Sequence, residues 1–265
     1  MTSSPLFALS RSETAREPAA GQVRVEFLGS GDAFSSGGRF QPCLHLSGAD
    51  EPLLIDCGAS SLIAIKRAGL EPWRFGYIVL SHLHGDHYGG LPFLILDGQF
   101  SGRTRPLLIA GPSGVGQRVE SAMEVMFPGS ARARRPFSLR FLELDEWSPT
   151  EIGPARVTPF LVEHPAGAPS FALRVEYGGR VIAYSGDTEW TEALPAAARG
   201  ADLFICEAYS FGKRIPYHLS YRALREQRGE LDCARVVLTH MSEEMLSRLG
   251  EAEFEAAADG SVIEL

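Results

Sequence analysis

Three imidazoles and a carboxylate crowd the stretch Ser81-His82-Leu83-His84-Gly85-Asp86-His87, directly behind the apolar run Tyr77-Ile78-Val79-Leu80. A short apolar run that stops at a glycine-containing loop reads as a buried strand handing its polar residues to one end. Imidazole and carboxylate are the side chains that hold borderline divalent cations such as zinc. Burying this many titratable groups without a cation would cost desolvation with nothing to offset it. The fold must therefore end a strand in a metal-binding loop. A solvated polar loop is the weaker reading.

The rest of the chain limits what can surround that loop. At 265 residues, with 45% hydrophobic and 22% charged residues, it can bury a large core in a layered α/β domain. No run of eighteen apolar residues exists, so no membrane helix is expected. Residues 1–20 are rich in Ser, Ala, Pro and Glu and lack the basic start and apolar centre of a secretory signal. They are expected to be a loose extension ahead of one domain over 21–265. Cys43, Cys57, Cys206 and Cys233 are widely spaced and form no CxxC pair. Reduced thiols in a cytoplasmic protein are expected rather than disulfides or a sulfur-bound zinc. A formal net charge of −8 argues against a broad nucleic-acid surface and against a stable nucleic-acid complex. The basic cluster Arg132, Arg134, Arg135 is expected to be a solvated loop.

Along the chain, strands are expected at 21–29, 43–46, 53–57, 77–80, 106–110, 138–144, 155–163, 171–177, 180–184, 203–207 and 235–239. Helices are expected at 60–68, 88–97, 112–127, 221–228 and 243–249. Val23, Val25 and Phe27 alternate as in a half-buried strand, and Gly178-Gly179 is a strong hairpin signal. Two strand-rich halves with flanking helices suggest two packed sheets covered by helices outside. No sequence repeat or low-complexity tract interrupts them.

Three further histidines follow apolar, strand-like runs and are expected at strand ends: His164 after residues 158–163, His218 after Pro216-Tyr217, and His240 after residues 236–239. Asp187 follows residues 181–186 in the same way. Taken in order, His82, His84, Asp86, His87, His164, Asp187 and His240 resemble the ligand series of the metallo-β-lactamase superfamily. The likeness includes Leu54-Ile55-Asp56-Cys57-Gly58, and Ser81 to Pro92 is especially similar to the ribonuclease Z branch. The resemblance implies an αβ/βα four-layer sandwich with two mixed sheets and two divalent ions in a cleft at the sheet edges. It implies His82, His84 and His164 around one ion, Asp86, His87 and His240 around the other, and Asp187 between them. Two such ions roughly 3.5–4 Å apart repel, so a shared carboxylate and a shared hydroxide are needed to hold them. By family analogy, imidazole at position 84 favours zinc hydrolysis over iron redox work, although manganese or iron suits the same ligands. Asp56 is expected either to orient a ligand from outside the coordination sphere or to cap the helix after it.

Cys206-Glu207-Ala208-Tyr209 and Tyr217-His218-Leu219-Ser220 resemble the Glu and His motifs of ribonuclease Z-like phosphodiesterases. Tyr209 stands where that family usually has Thr. The resemblance implies that Glu207 orients His218, which donates a proton to the departing alkoxide, so Asp86, Glu207 and His218 are the expected catalytic side chains. The implied activity is that of a ribonuclease Z-like endonuclease or phosphodiesterase using a bridging hydroxide. Its substrate would be a small or cyclic phosphodiester or an RNA 3′ end. Ribonucleases of this kind usually carry a long tRNA-gripping arm between the positions of His164 and Asp187, and only a hairpin's length of chain lies there. Together with the acidic charge, that favours small substrates. A carbonyl hydrolase acting on a thioester, lactone or β-lactam is the alternative, and a binding module without turnover is a third reading. The loops 34–40 and 211–216 are expected to set specificity, and the resemblance implies that the chain can pair as a homodimer.

Overall fold

A strand that is apolar on both faces needs cover above and below it, and here the cover is a second sheet on one side and helices on the other. The computed structural model describes residues 21–265, so the extension expected over residues 1–20 lies outside the described residues. The first sheet carries β1 (Arg24–Gly29), β2 (Cys43–Ser47), β3 (Leu53–Ile55), β4 (Tyr77–Val79), β5 (Leu107–Gly111) and β6 (Leu139–Glu143). The second carries β7 (Thr150–Ile152), β8 (Ala155–Leu161), β9 (Phe171–Tyr177), β10 (Arg180–Tyr184), β11 (Leu203–Glu207), β12 (Val236–Thr239) and β13 (Glu255–Ala256). The last strand, β14 (Val262–Glu264), returns to the first sheet beside β1. The strand orders are β14-β1-β2-β3-β4-β5-β6 and β13-β12-β11-β10-β9-β8-β7. Strands β3 to β6 pair in parallel, as do β10 to β13.

Three apolar layers hold the stack together. Between the sheets lie Phe27, Leu46, Ile55 and Val79 from one side and Leu173, Ile182, Tyr184 and Ile205 from the other, none more than 1% exposed. Removing a ring such as Phe27 from that layer would cost about 3–5 kcal/mol. Outside the first sheet pack α1 (Ser61–Arg67), the single turn α2 (Gly85–Tyr88), α3 (Leu91–Phe100) and α4 (Val115–Met126). Ile65, Ile95, Val119 and Met123 from these helices cover Leu54, Ile78 and Ile109. Outside the second sheet, α5 (Ala193–Ala198), α6 (Tyr221–Glu226) and α7 (Glu243–Leu246) bring Leu194, Leu224 and Met245 onto Ala183, Phe204 and Leu238. The expected αβ/βα sandwich is the observed one.

Several expectations change in detail. Strand β1 is buried on both faces rather than one. Its polar residues are internally paired: Arg24 with Glu264 at 2.9 Å and Glu26 with His45 at 3.1 Å. The helix expected at 88–97 is two pieces, α2 and then α3, which begins anew with Pro92 in its first turn, where a missing N–H costs nothing. Strands β7, β13 and β14 and helix α5 were not anticipated, because two to six residues are too few to show a period. The turn between β9 and β10 is the hairpin expected: Gly178 and Gly179 take φ of 56° and 80°, a region that a side chain would strain. All four cysteines are free, and burial pushes the Cys43 thiol up to about 12. Arg135 closes the loop after α4 by donating to the carbonyls of Ser130 and Ala131. Among the described residues, no helix is long and apolar enough to cross a membrane.

Candidate metal centre

Parallel strands deliver their carboxyl ends to one rim of a sheet, and that rim is where open α/β scaffolds gather polar groups. Here β3 runs into Asp56, β4 into His82, β10 into Asp187, β11 ends at Glu207 and β12 runs into His240. His164 follows β8, which lies antiparallel to β9 and so exits at the same rim as β10. The backbone is strained there. Asp56, Tyr217 and His240 take φ of 58°, 66° and 54°, and the only other non-glycine residues with positive φ among those described are Ser35 and Trp147. Strain of this kind persists where the surroundings over-determine it, and they do. The loop after β3 is zipped to α2 by Cys57 N–H donating to the His87 carbonyl and Gly90 N–H to the Cys57 carbonyl. Gly58 permits that approach, since a Cβ there would lie 2.1 Å from the Asp86 carbonyl oxygen.

Among the described residues, four overlapping groups of potential donor atoms result, two of which include His218; the other two are distinct. In the first, one nitrogen each of His82, His84 and His164 come within 4.8 Å of one another; in the second, one atom each of Asp86, His87, Asp187 and His240 does the same. Within the second group, Asp86 Oδ2 lies 3.2 Å from both His87 Nε2 and His240 Nε2. Asp187 Oδ1 lies 3.3 Å from His87 Nε2, and its Oδ2 lies 3.4 Å from His240 Nε2. A tetrahedral site with metal–ligand bonds of about 2.0 Å has ligands about 3.3 Å apart, so the spacing fits a cation. The first group is looser. His84 Nδ1 and His164 Nε2 are 2.9 Å apart, while Asp187 Oδ2 stands 3.9 Å from His82 Nε2 and 3.8 Å from His164 Nε2. Asp187 thus reaches both groups with one carboxylate.

The chemistry of these donors also fits a cation. His82 Nε2, His87 Nε2 and Asp187 Oδ1 are buried without a hydrogen bond, which is expensive unless a metal takes their lone pairs. Burial alone would hold the His240 imidazolium down, but Asp187, Asp86 and Glu207 override it and raise it to about 10. His87 is likewise raised, against burial, by Asp187, Asp86 and Asp56. The carboxylates therefore draw protons onto these imidazoles, a positive charge that a divalent ion would supply instead. His82, with no such excess of carboxylate, is pushed well below the usual imidazole range by burial and by His87.

Supporting groups fix which nitrogen each imidazole offers. Asp56 Oδ2 lies 2.7 Å from His87 Nδ1, leaving Nε2 for the centre, and Asp56 also accepts from the Ser81 N–H and hydroxyl. Asp56 does not cap α1, whose N-cap is Ser60. His164 Nδ1 donates to the Tyr217 carbonyl at 2.9 Å, and Ser81 Oγ is 3.0 Å from His82 Nδ1. Ser81 and the Tyr217 carbonyl went unseen in the sequence. A serine beside a histidine carries no motif, and a backbone carbonyl leaves no residue-type signal.

Beside the donors sits the second pair. His218 Nδ1 is 3.0 Å from Glu207 Oε2, and Glu207 Oε1 accepts from the backbone N–H groups of Thr188 and Leu219. Burial would lower the His218 imidazolium, yet the hydrogen bond and charge of Glu207 raise it. His218 is not at a strand end as its sequence context suggested. It lies in the loop before α6, where Ser220 caps that helix through Ala223 N–H at 3.2 Å. Of the two loops expected to set specificity, the first keeps Phe34 80% exposed, whereas Phe211 of the second is buried beneath the Arg248 guanidinium at 3.7 Å.

A family model described as "Anti-Pycsar protein Apyc1" matches residues 23–259. A ribonuclease Z of Enterococcus faecalis is 25% identical over 85% of this chain and 89% of its own length. The solved structure of human tRNase Z, short form, is 25% identical, with a TM-score of 0.74 over 91% of this chain and 98% of that one. The metallo-β-lactamase fold protein YhfI from Bacillus subtilis, 20% identical, superposes with a TM-score of 0.74 over 92% of this chain and 100% of its own.

Proposed function

The chain belongs to the Anti-Pycsar Apyc1 family and is a ribonuclease Z-like, metal-dependent hydrolase of the metallo-β-lactamase fold; from that premise we propose that it opens a small cyclic phosphodiester. In this reading residues 21–265 form one hydrolase domain. The observation that carries it is the Glu207–His218 pair at 3.0 Å beside two donor groups that Asp187 reaches with one carboxylate. A phosphodiester expels an alkoxide, which needs a proton far more than the leaving group of a thioester or an activated lactam does.

His82, His84 and His164 would hold one divalent ion and Asp86, His87 and His240 a second, with Asp187 between them; zinc suits this nitrogen-rich set. Such ions supply Lewis acidity toward the phosphoryl oxygens and ready a water for attack. The chain's own residues do the rest. Asp56 and the Tyr217 carbonyl keep His87 and His164 turned inward. Glu207 holds Nδ1 of His218, so the remaining nitrogen, Nε2, carries the proton for the leaving oxygen.

Two observations support a small substrate. Between His164 and Asp187 the chain spends its length on β9, a two-glycine turn and β10, which leaves no separate arm for gripping a large RNA. The net charge of −8 also disfavours a long polyanion. The ribonuclease Z relatives favour an RNA 3′ end as the second reading. A panel on one metal-loaded preparation decides: a cyclic nucleotide, a cyclic ribose phosphate, a precursor tRNA, nitrocefin and a thioester. Turnover of a cyclic phosphodiester above the others is expected. Cleavage of the precursor tRNA alone, or of the carbonyl substrates alone, overturns the proposal.

A further inference from the structure

Glu207 fixes one atom of His218, and one hydrogen bond cannot fix the plane of a ring. His218 is also less enclosed than His82, His87, His164 or His240, with 21% of its side chain exposed. Its Nε2 direction, on which proton delivery depends, needs another restraint. Besides the His240 ring, parallel to His218 at 5.9 Å with planes 8° apart, the ring that lies against the imidazole is Tyr209. The Tyr209 and His218 rings stack with centroids 4.6 Å apart and planes 30° apart, and Tyr209 also lies 6.2 Å from the His240 ring. On another side, His164 meets His218 edge-on at 5.0 Å.

The backbone keeps the tyrosine in place. Its N–H donates to the carbonyl of Leu219, the residue after His218, and its carbonyl accepts from the N–H of Ser242, two residues past His240. Both bonds are 2.9 Å long. Tyr209 thus belongs to the same rigid frame as the acid and the His240 donor. A side chain without a ring at this position would offer no aromatic face to stack.

We propose that Tyr209 is a positioning residue for the leaving-group acid: its ring holds the His218 imidazole in the plane that aims Nε2 at the departing oxygen. The inference rests on His218 being that acid, and the test separates the two. A substrate with a poor leaving group, a 3′,5′-cyclic nucleotide, needs the proton. One with a good leaving group, bis(p-nitrophenyl) phosphate, needs it little. The readout is the ratio of kcat on the first to kcat on the second, taken with metal content on the full metal-loaded chain.

In His218→Ala that ratio falls by roughly 10²–10⁴-fold if the imidazole is the acid. Tyr209→Ala and Tyr209→Leu, the latter keeping bulk without an aromatic face, should lower it by about 10–10²-fold with metal retained, the scale of a misplaced catalytic group. Tyr209→Phe, which keeps the ring, should restore most of it. If His218→Ala lowers the ratio and the Tyr209 variants lose both activities equally, or neither, the positioning role is wrong while the acid stands. If His218→Ala leaves the ratio unmoved, the acid assignment fails and takes this inference with it.

Discussion

The two donor groups at the sheet rim are built from similar side chains and behave differently. The first, His82, His84 and His164, is all imidazole, spans 2.9–3.9 Å when Asp187 is included, and keeps His84 half-exposed. The second, Asp86, His87, Asp187 and His240, carries two carboxylates, is wholly buried, and holds its atoms 3.2–3.4 Å apart along the contacts described. In the first, burial works against charge on two of the imidazoles: His82 is held well below its usual range and His84 is lowered as well. In the second, carboxylates overcome burial and charge the imidazoles. Burial sets the sign where no anion answers it, and anions set it where they are close. The second group is thus expected to hold its ion more tightly, at the cost of displacing protons.

Asp187 belongs to the second group and reaches toward His82 and His164 of the first, so its removal is expected to have the largest effect. Asp187→Ala should lose metal from both groups, with activity falling to that of the chelator-stripped protein. Retention of a full equivalent by elemental analysis would show that the groups stand independently. Asp56→Asn should act mainly on the second group, because Asp56 holds His87 directly and reaches His82 only through Ser81. The amide can no longer accept from His87 as a carboxylate does, and metal affinity should weaken by about 10–100-fold at the second group and by less at the first. Equal weakening at both, by competitive titration against a chelator, would erase the distinction.

The smallest effect is one of pH. His240 is raised to about 10, so near neutrality it is protonated and must release that proton to bind through Nε2. His87 is raised in the same way, so affinity at the second group should rise between pH 6.5 and 8.5 by about tenfold per pH unit for each proton displaced from the two imidazoles. At the first group, the lowered His82 is already neutral throughout that window, and no such slope is expected. Calorimetry in buffers of different ionisation enthalpy would count the protons. A slope shared by both groups would break the comparison.

Much of the site was legible in the sequence because metal chemistry admits few residue types and strands must stop somewhere. His82 to His87, His164, Asp187 and His240 each follow an apolar run, and the tight motif around Gly85 leaves little freedom in how they are offered. Glu207 and His218 were legible only through a longer motif, and the strand-end setting inferred for His218 was wrong: a dipeptide such as Pro216-Tyr217 is too short to tell a strand from a loop. Burial of both faces of β1 was hidden because Glu26 looks like a surface residue until His45 is brought beside it.

By itself the sequence determined which side chains can bind a cation and where strands hand them over, since local periodicity and residue chemistry act over a few positions. Tertiary structure alone decided which of those side chains share a centre. It raised His87 and His240 through the carboxylates packed against them, and it stacked Tyr209 on His218. Those depend on distances between residues far apart in the chain, and such distances exist only once the two sheets have closed on their common core.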